Sequence, residues 1–147
     1  MDAAIESVRV APTPEGVVPV VLLEVEGSTD VLPIFIGYSE ATAIADGLDA
    51  YDIGRPLTHD LMLDTIEELG GRVSGVEVTA LDESTYLAEV HLNTPRGTTT
   101  LDARPSDSLA LAARTNAPIA VAEAVFDHGR RPREEFAELA HLRDGSR

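Results

Sequence analysis

The chain contains no cysteine. Disulfides, thiolate metal sites and a cysteine nucleophile are therefore excluded. Tryptophan is also absent, and aromatic residues make up only 4% of the 147 residues. The core must be built from Val, Leu, Ile and Ala, and few rings are available to stack on unpaired bases. Lysine is missing as well: all 11 basic residues are Arg. No apolar run approaches the roughly 20 residues that span a membrane. The first residues, Met1-Asp2-Ala3-Ala4, carry an acid where a secretory leader is basic. A cytoplasmic setting with no membrane partner is expected. The sequence has no Walker loop, dinucleotide fingerprint, zinc-ligand pair or Gly-x-Ser-x-Gly elbow.

What is present in excess is acid. The chain carries 26 Asp and Glu against 11 Arg, a formal charge of −15 at pH 7. Self-repulsion of this size works against a compact state. In molar salt the Debye length falls to about 3 Å and the repulsion is screened. A salt-adapted, halophilic cytoplasm is therefore expected. The competing explanation is codon usage, since high-GC codons also favour Arg over Lys. The same charge argues against a broad basic face for nucleic acid. At 44% hydrophobic, the chain has enough apolar residues for one ordinary core.

Strands are predicted at Glu6–Val10, Val17–Val25 and Val31–Ile36, with turns at residues 11–16 and 27–30. Both faces of the second strand are apolar, so it should be central and covered on both sides. Pro33 marks the third as an edge or a strand start. Ala41, Ile44, Ala45 and Leu48 follow helical spacing after a Ser39 cap. A loop at residues 51–56 precedes a helix capped by Thr58, with a stripe of Met62, Ile66 and Leu69 and a stop at Gly70-Gly71. A three-stranded meander is expected over Val73–Ala80, Tyr86–Leu92 and Thr98–Ala103. Pro105 and Ser106 open a further helix, and Ile119–Val121 is a short strand. Pro132, Glu134 and Glu135 then suggest a C-terminal helix. The fold class is α+β: a mixed, largely antiparallel sheet with helices packed against it, in a single domain over 1–128, followed by a short charged helix or tail over 129–147.

Three polar stretches sit at helix starts. Thr58-His59-Asp60 puts an imidazole and a carboxylate in a first turn, where free N–H groups favour an anion and a neutral imidazole. Asp102-Ala103-Arg104-Pro105-Ser106-Asp107 flanks an Arg with two carboxylates, a set suited to a divalent cation and a phosphate. Ser39-Glu40 opens the first helix. Each stretch also has a plain reading as a helix cap with dipole compensation. The functional reading gains weight if the three starts converge in space. His91 shares a strand face with Glu89 and Asn93 and is expected to face solvent. Arg130, Arg131 and Arg133 are interleaved with acids and are expected to pair within the tail.

The stretches LPIFIG (Leu32 to Gly37), RPLTHDL (Arg55 to Leu61) and LDARPSDSLALAARTNAPIAV (Leu101 to Val121), with Glu40 between the first two, closely resemble the bifunctional nuclease domain family over roughly residues 5–126. The resemblance implies a mixed α/β domain, a nuclease activity on RNA and DNA, and a homodimer. It marks Glu40, His59, Asp60, Asp102, Arg104 and Asp107 without assigning their roles. The chemistry expected of such a set is metal-assisted phosphodiester hydrolysis. Asp102 and Asp107, with Glu40 or Asp60, would hold one Mg²⁺ or Mn²⁺. His59 would act as general base or acid, and Arg104, aided by Arg55, would stabilise the phosphate. The alternatives are a non-enzymatic dimeric binding or regulatory module, and an enzyme acting on a small phosphorylated metabolite.

The charge argument leads to a direct test. Unfolding titrations should show stability rising steeply from low to molar KCl. Full stability at low salt would contradict salt adaptation.

Overall fold

A computed structural model describes residues 1–51 and 54–143. The expected loop at residues 51–56 therefore lies partly outside the described residues. Strand β1 (Asp2–Thr13) forms an antiparallel hairpin with β2 (Gly16–Val25), and β3 (Asp30–Phe35) pairs with the far edge of β2. A second antiparallel unit comprises β4 (Arg72–Asp82), β5 (Thr85–Thr94) and β6 (Gly97–Ala103). The short β7 (Ile119–Val121) joins the two units, antiparallel to β1 and parallel to β4. With β8 (Arg131–Pro132) on β3, the sheet has eight strands in the order β6-β5-β4-β7-β1-β2-β3-β8. Four α-helices complete the described fold: α1 (Tyr38–Leu48), α2 (Thr58–Glu68), α3 (Pro105–Thr115) and α4 (Glu123–Gly129). The α+β class read from the sequence is the one observed.

Strand β2 is central, and both of its faces are buried. Val21, Leu23 and Val25 enter the main core with Ile44 of α1, Leu109 of α3 and Phe126 of α4. Val20 and Leu22 face the other way and meet Ala11, Val31 and Phe136. That second layer comes from the C-terminal segment. In place of the expected α-helix, this segment forms β8 and one 3₁₀ turn, Arg133–Phe136. The reason lies in where its backbone groups find partners. Arg9 donates to the carbonyls of Phe136, Ala137 and Leu139 at 3.2, 3.3 and 3.0 Å. Leu142 N–H donates to Val8 O, and Val10 N–H to Ala140 O, both at 2.9 Å. Bonds to β1 replace the internal ladder of a helix. Of the three neighbouring arginines, only Arg131 pairs within the tail, with Glu135; Arg130 and Arg133 reach Asp30 and Glu24 on the sheet.

Helices α1, α2 and α3 meet on one side of the sheet, with a single buried guanidinium among them. The Arg114 side chain is 7% exposed. Its Nη1 donates to Ala43 O of α1 at 2.8 Å and to Ala110 O of α3 at 2.9 Å. Its Nε donates to Asp60 Oδ1 of α2 at 2.7 Å. Gly47 makes room for this clamp, because a Cβ there would lie 2.8 Å from Arg114 Nη1 and 2.9 Å from the Ala113 Cβ. Helix α2 depends on the clamp more than its neighbours do, since none of its residues is buried. Leu63 and Ile66 touch the core, whereas Leu69 of the expected stripe is 75% exposed. The helix ends at Glu68, so Leu69 has already turned away from the packed face.

Burial alone would raise the Asp60 carboxyl, but the Leu57 N–H and Arg114 outweigh it and hold the group below its ordinary value. A depressed carboxylate stabilises the fold above its unfolded pKa, near pH 4, and that contribution is lost as pH falls through the lower folded value. Arg114→Met should cost about 2–3 kcal/mol of unfolding free energy at pH 7, read by urea denaturation. The variant should also show a shallower loss of stability below about pH 4 than the parent chain. A parallel acid profile in both would mean that the pair does not hold α2.

Candidate active site

The three helix starts converge on one cleft of about 560 Å³, whose lining includes Ser39, Glu40, Thr58, His59, Arg104 and Asp107. Backbone geometry places each of them. Gly37 caps α1, and a side chain there would collide with the Glu40 carboxylate, which folds back over the helix start. Leu57 caps α2, and its N–H donates 2.9 Å to Asp60 Oδ2. Arg104 caps α3 in extended backbone, and Pro105 begins the helix with its fixed φ. The expected caps Ser39, Thr58 and Ser106 thus lie one or two residues inside their helices. The cap positions themselves, Gly37, Leu57 and Arg104, make no side-chain capping bond.

Asp107 is spent on other side chains. His59 Nε2 lies 2.9 Å from Asp107 Oδ1. Arg104 donates from Nε to Asp107 Oδ2 at 2.9 Å and from Nη2 to Oδ1 at 3.3 Å. Burial would raise the Asp107 carboxyl, but the bonds from Arg104 and His59 prevail and hold it below the usual carboxylate range. Its hydrogen bonds and charge in turn push the Arg104 guanidinium further up. An ionised carboxylate only accepts, so His59 Nε2 carries the hydrogen, and in a neutral imidazole Nδ1 then keeps the lone pair. The His59 side chain is 12% exposed and that of Arg104 is 64% exposed. The first is held in place, and the second can reach a ligand. Glu40 Oε2 stands 3.6 Å from Arg104 Nη1, which extends the unit to a Glu–Arg–Asp–His chain drawn from three helix starts.

The remaining candidates are placed differently. Asp60 turns from the cleft toward Arg114. Asp102 lies at the cleft rim, but its register partner is Glu89, and direct cross-strand partners share a face. Val90 and Leu101, one step along, line the cleft. Strand alternation therefore directs the Asp102 side chain to the other side of the sheet. Arg55 is exposed ahead of α2 and does not line the cleft. The expected Mg²⁺ or Mn²⁺ set of Glu40, Asp102 and Asp107 does not fit these positions. Both Asp107 oxygens are engaged, and among the described residues these three do not bring ligand atoms together.

Sequence reasoning missed Arg114. The available signal was a charge in register with buried Ala110 and Leu111, four and three residues before it on α3. A charge on the packed side of a helix needs a buried partner.

Comparison with known proteins shows what the chain is similar to. The model of the bifunctional nuclease domain matches residues 20–134. Two Mycobacterium tuberculosis proteins, "Uncharacterized protein Rv1829" of strain H37Rv and "Uncharacterized protein MT1877" of strain CDC 1551, are each 43% identical over 108 residues. That aligned stretch covers 74% of this chain and 64% of each relative. "Bifunctional nuclease 2" of Oryza sativa subsp. japonica is 29% identical over 107 residues, covering 70% of this chain and 33% of that protein. The chain thus spans less than two thirds of the length of these relatives. With more than half of its residues matched by the family model, the chain belongs to the bifunctional nuclease domain family.

Proposed function

We propose that the cleft hydrolyses phosphodiester bonds of RNA or DNA, with His59 as general base, Asp107 as its orienting partner and Arg104 as the phosphate-binding group. The observation that carries this reading is the His59–Asp107–Arg104 unit, assembled from two helix starts 48 residues apart in sequence. His59 Nδ1 takes a proton from the attacking oxygen, either water or a ribose 2′-hydroxyl. Asp107 keeps the hydrogen on Nε2 and stabilises the imidazolium that forms. Arg104 donates to the phosphate oxygens as negative charge builds there. The volume suits an unpaired nucleotide or a strand end better than a duplex. The plant relatives named as bifunctional nucleases support the reaction class.

A second reading is a binding or regulatory module, favoured by two observations. The Arg104 and Arg114 side chains that line the cleft are both already paired with carboxylates. Among the described residues that line it, none is aromatic and available for base stacking.

Purified protein incubated with RNA and DNA in high KCl, with and without EDTA, separates the two. Cleavage should fall about 10²–10⁴-fold in His59→Ala and in Asp107→Asn, and roughly 10²-fold or more in Arg104→Ala. Cleavage that survives the His59 and Asp107 substitutions would place the activity elsewhere. No cleavage under any condition would favour the binding module.

A further inference from the structure

The two faces of the β4–β5–β6 unit differ in character. Val76, Val78 and Val90 face the helices and the core. The alternate residues face away, and register fixes their order. Glu77 on β4 is directly opposite Glu89 on β5, and Glu89 is directly opposite Asp102 on β6. Like charges placed directly opposite each other destabilise a sheet. No arginine relieves them among the described residues, where the arginine–carboxylate pairs at 4.0 Å or less involve neither Glu77 nor Glu89.

An imidazole completes the group. His91 lies two residues beyond Glu89 on the same face, with Nε2 3.5 Å from Glu89 Oε1. One nitrogen or oxygen from each of Glu77, Glu89 and His91 falls within 4.8 Å of the others. Ligands bound to one tetrahedral ion at about 2.1 Å stand about 3.4 Å apart. Rotamer adjustments of about 1–1.5 Å would therefore close the set. Space is available, because the register partner of His91 is Gly75 and that of Glu77 on β7 is Ala120. The three donors stand on paired strands and not on a loop, so their spacing is held by the backbone ladder.

From this geometry we infer that Glu77, Glu89 and His91 form a divalent-cation site on the sheet face opposite the cleft. A mixed set of two carboxylates and one imidazole selects a first-row transition ion such as Zn²⁺ in preference to Mg²⁺, which favours all-oxygen ligation. The ion turns the Glu77–Glu89 repulsion into a bridge between β4 and β5. Asp102, beside Glu89, adds negative charge without being required as a ligand. The inference is independent of the chemistry proposed for the cleft.

The full chain, stripped with EDTA and dialysed into KCl buffer, is titrated with Zn²⁺ by calorimetry. One Zn²⁺ per chain should bind, shift the His91 ring resonances and raise the melting temperature. Affinity should fall at least tenfold in His91→Ala and in Glu89→Gln, and the Zn²⁺-dependent rise in melting temperature should vanish in both. Unchanged circular dichroism of the two variants would show that they are folded. His59→Ala, across the sheet, should bind Zn²⁺ as the parent does. Absence of binding would overturn the site. So would binding that persists in the sheet-face variants or is lost in His59→Ala.

Discussion

The clamp made by Arg114 is the interaction on which the cleft depends. A guanidinium that is 7% exposed needs hydrogen-bond partners, and here its Nε and Nη1 find them on α1, α2 and α3. Because α2 has no buried residue, apolar packing alone holds it weakly. The bond to Asp60 compensates. Asp60 adjoins His59 in sequence, so anchoring the carboxylate also sets the imidazole next to it. The site is thus supported from behind by one buried cation, and Gly47 provides the close approach that this cation needs.

Charge is organised around this support with little to spare. Arg104 and Asp107 satisfy each other, Glu40 leans on Arg104, and Asp60 is answered by Arg114. A phosphate entering the cleft must therefore compete with carboxylates already in place. That competition is weakened by the exposure of Arg104, whose side chain can swing toward a ligand while His59 stays fixed. The other side of the sheet has a different balance. Its β1–β2–β3 half is covered by the C-terminal segment through Phe136, while its β4–β5–β6 half leaves Glu77, Glu89 and Asp102 in a row without arginine partners among the described residues.

Much of this fold was legible from alternation and spacing. The meander, the central β2 and the helix at Ala41–Ile44–Ala45 follow the expected periods because each has one dominant partner surface. The convergence of three helix starts was foreseen only as a condition, since no local pattern specifies how distant segments meet. The caps were misread for a local reason. Ser and Thr are favoured cap residues, but here Gly37, Leu57 and Arg104 take the extended cap conformation and leave the polar residues inside the first turn. The tail helix failed because β1 captures its backbone groups, and α4 lacked a strong apolar period. Asp102 reads as a neighbour of Asp107 in sequence, yet strand alternation separates them in space.

The tautomer of His59 tests the central arrangement most directly. Long-range ¹H–¹⁵N correlation spectra report which ring nitrogen carries the hydrogen when the imidazole is neutral. A carboxylate acceptor at Nε2, held in place through Arg114, requires the Nε2–H form in the parent chain and a mixed population in Arg114→Met. An Nδ1–H imidazole in the parent, or a spectrum that Arg114→Met leaves unchanged, would contradict it.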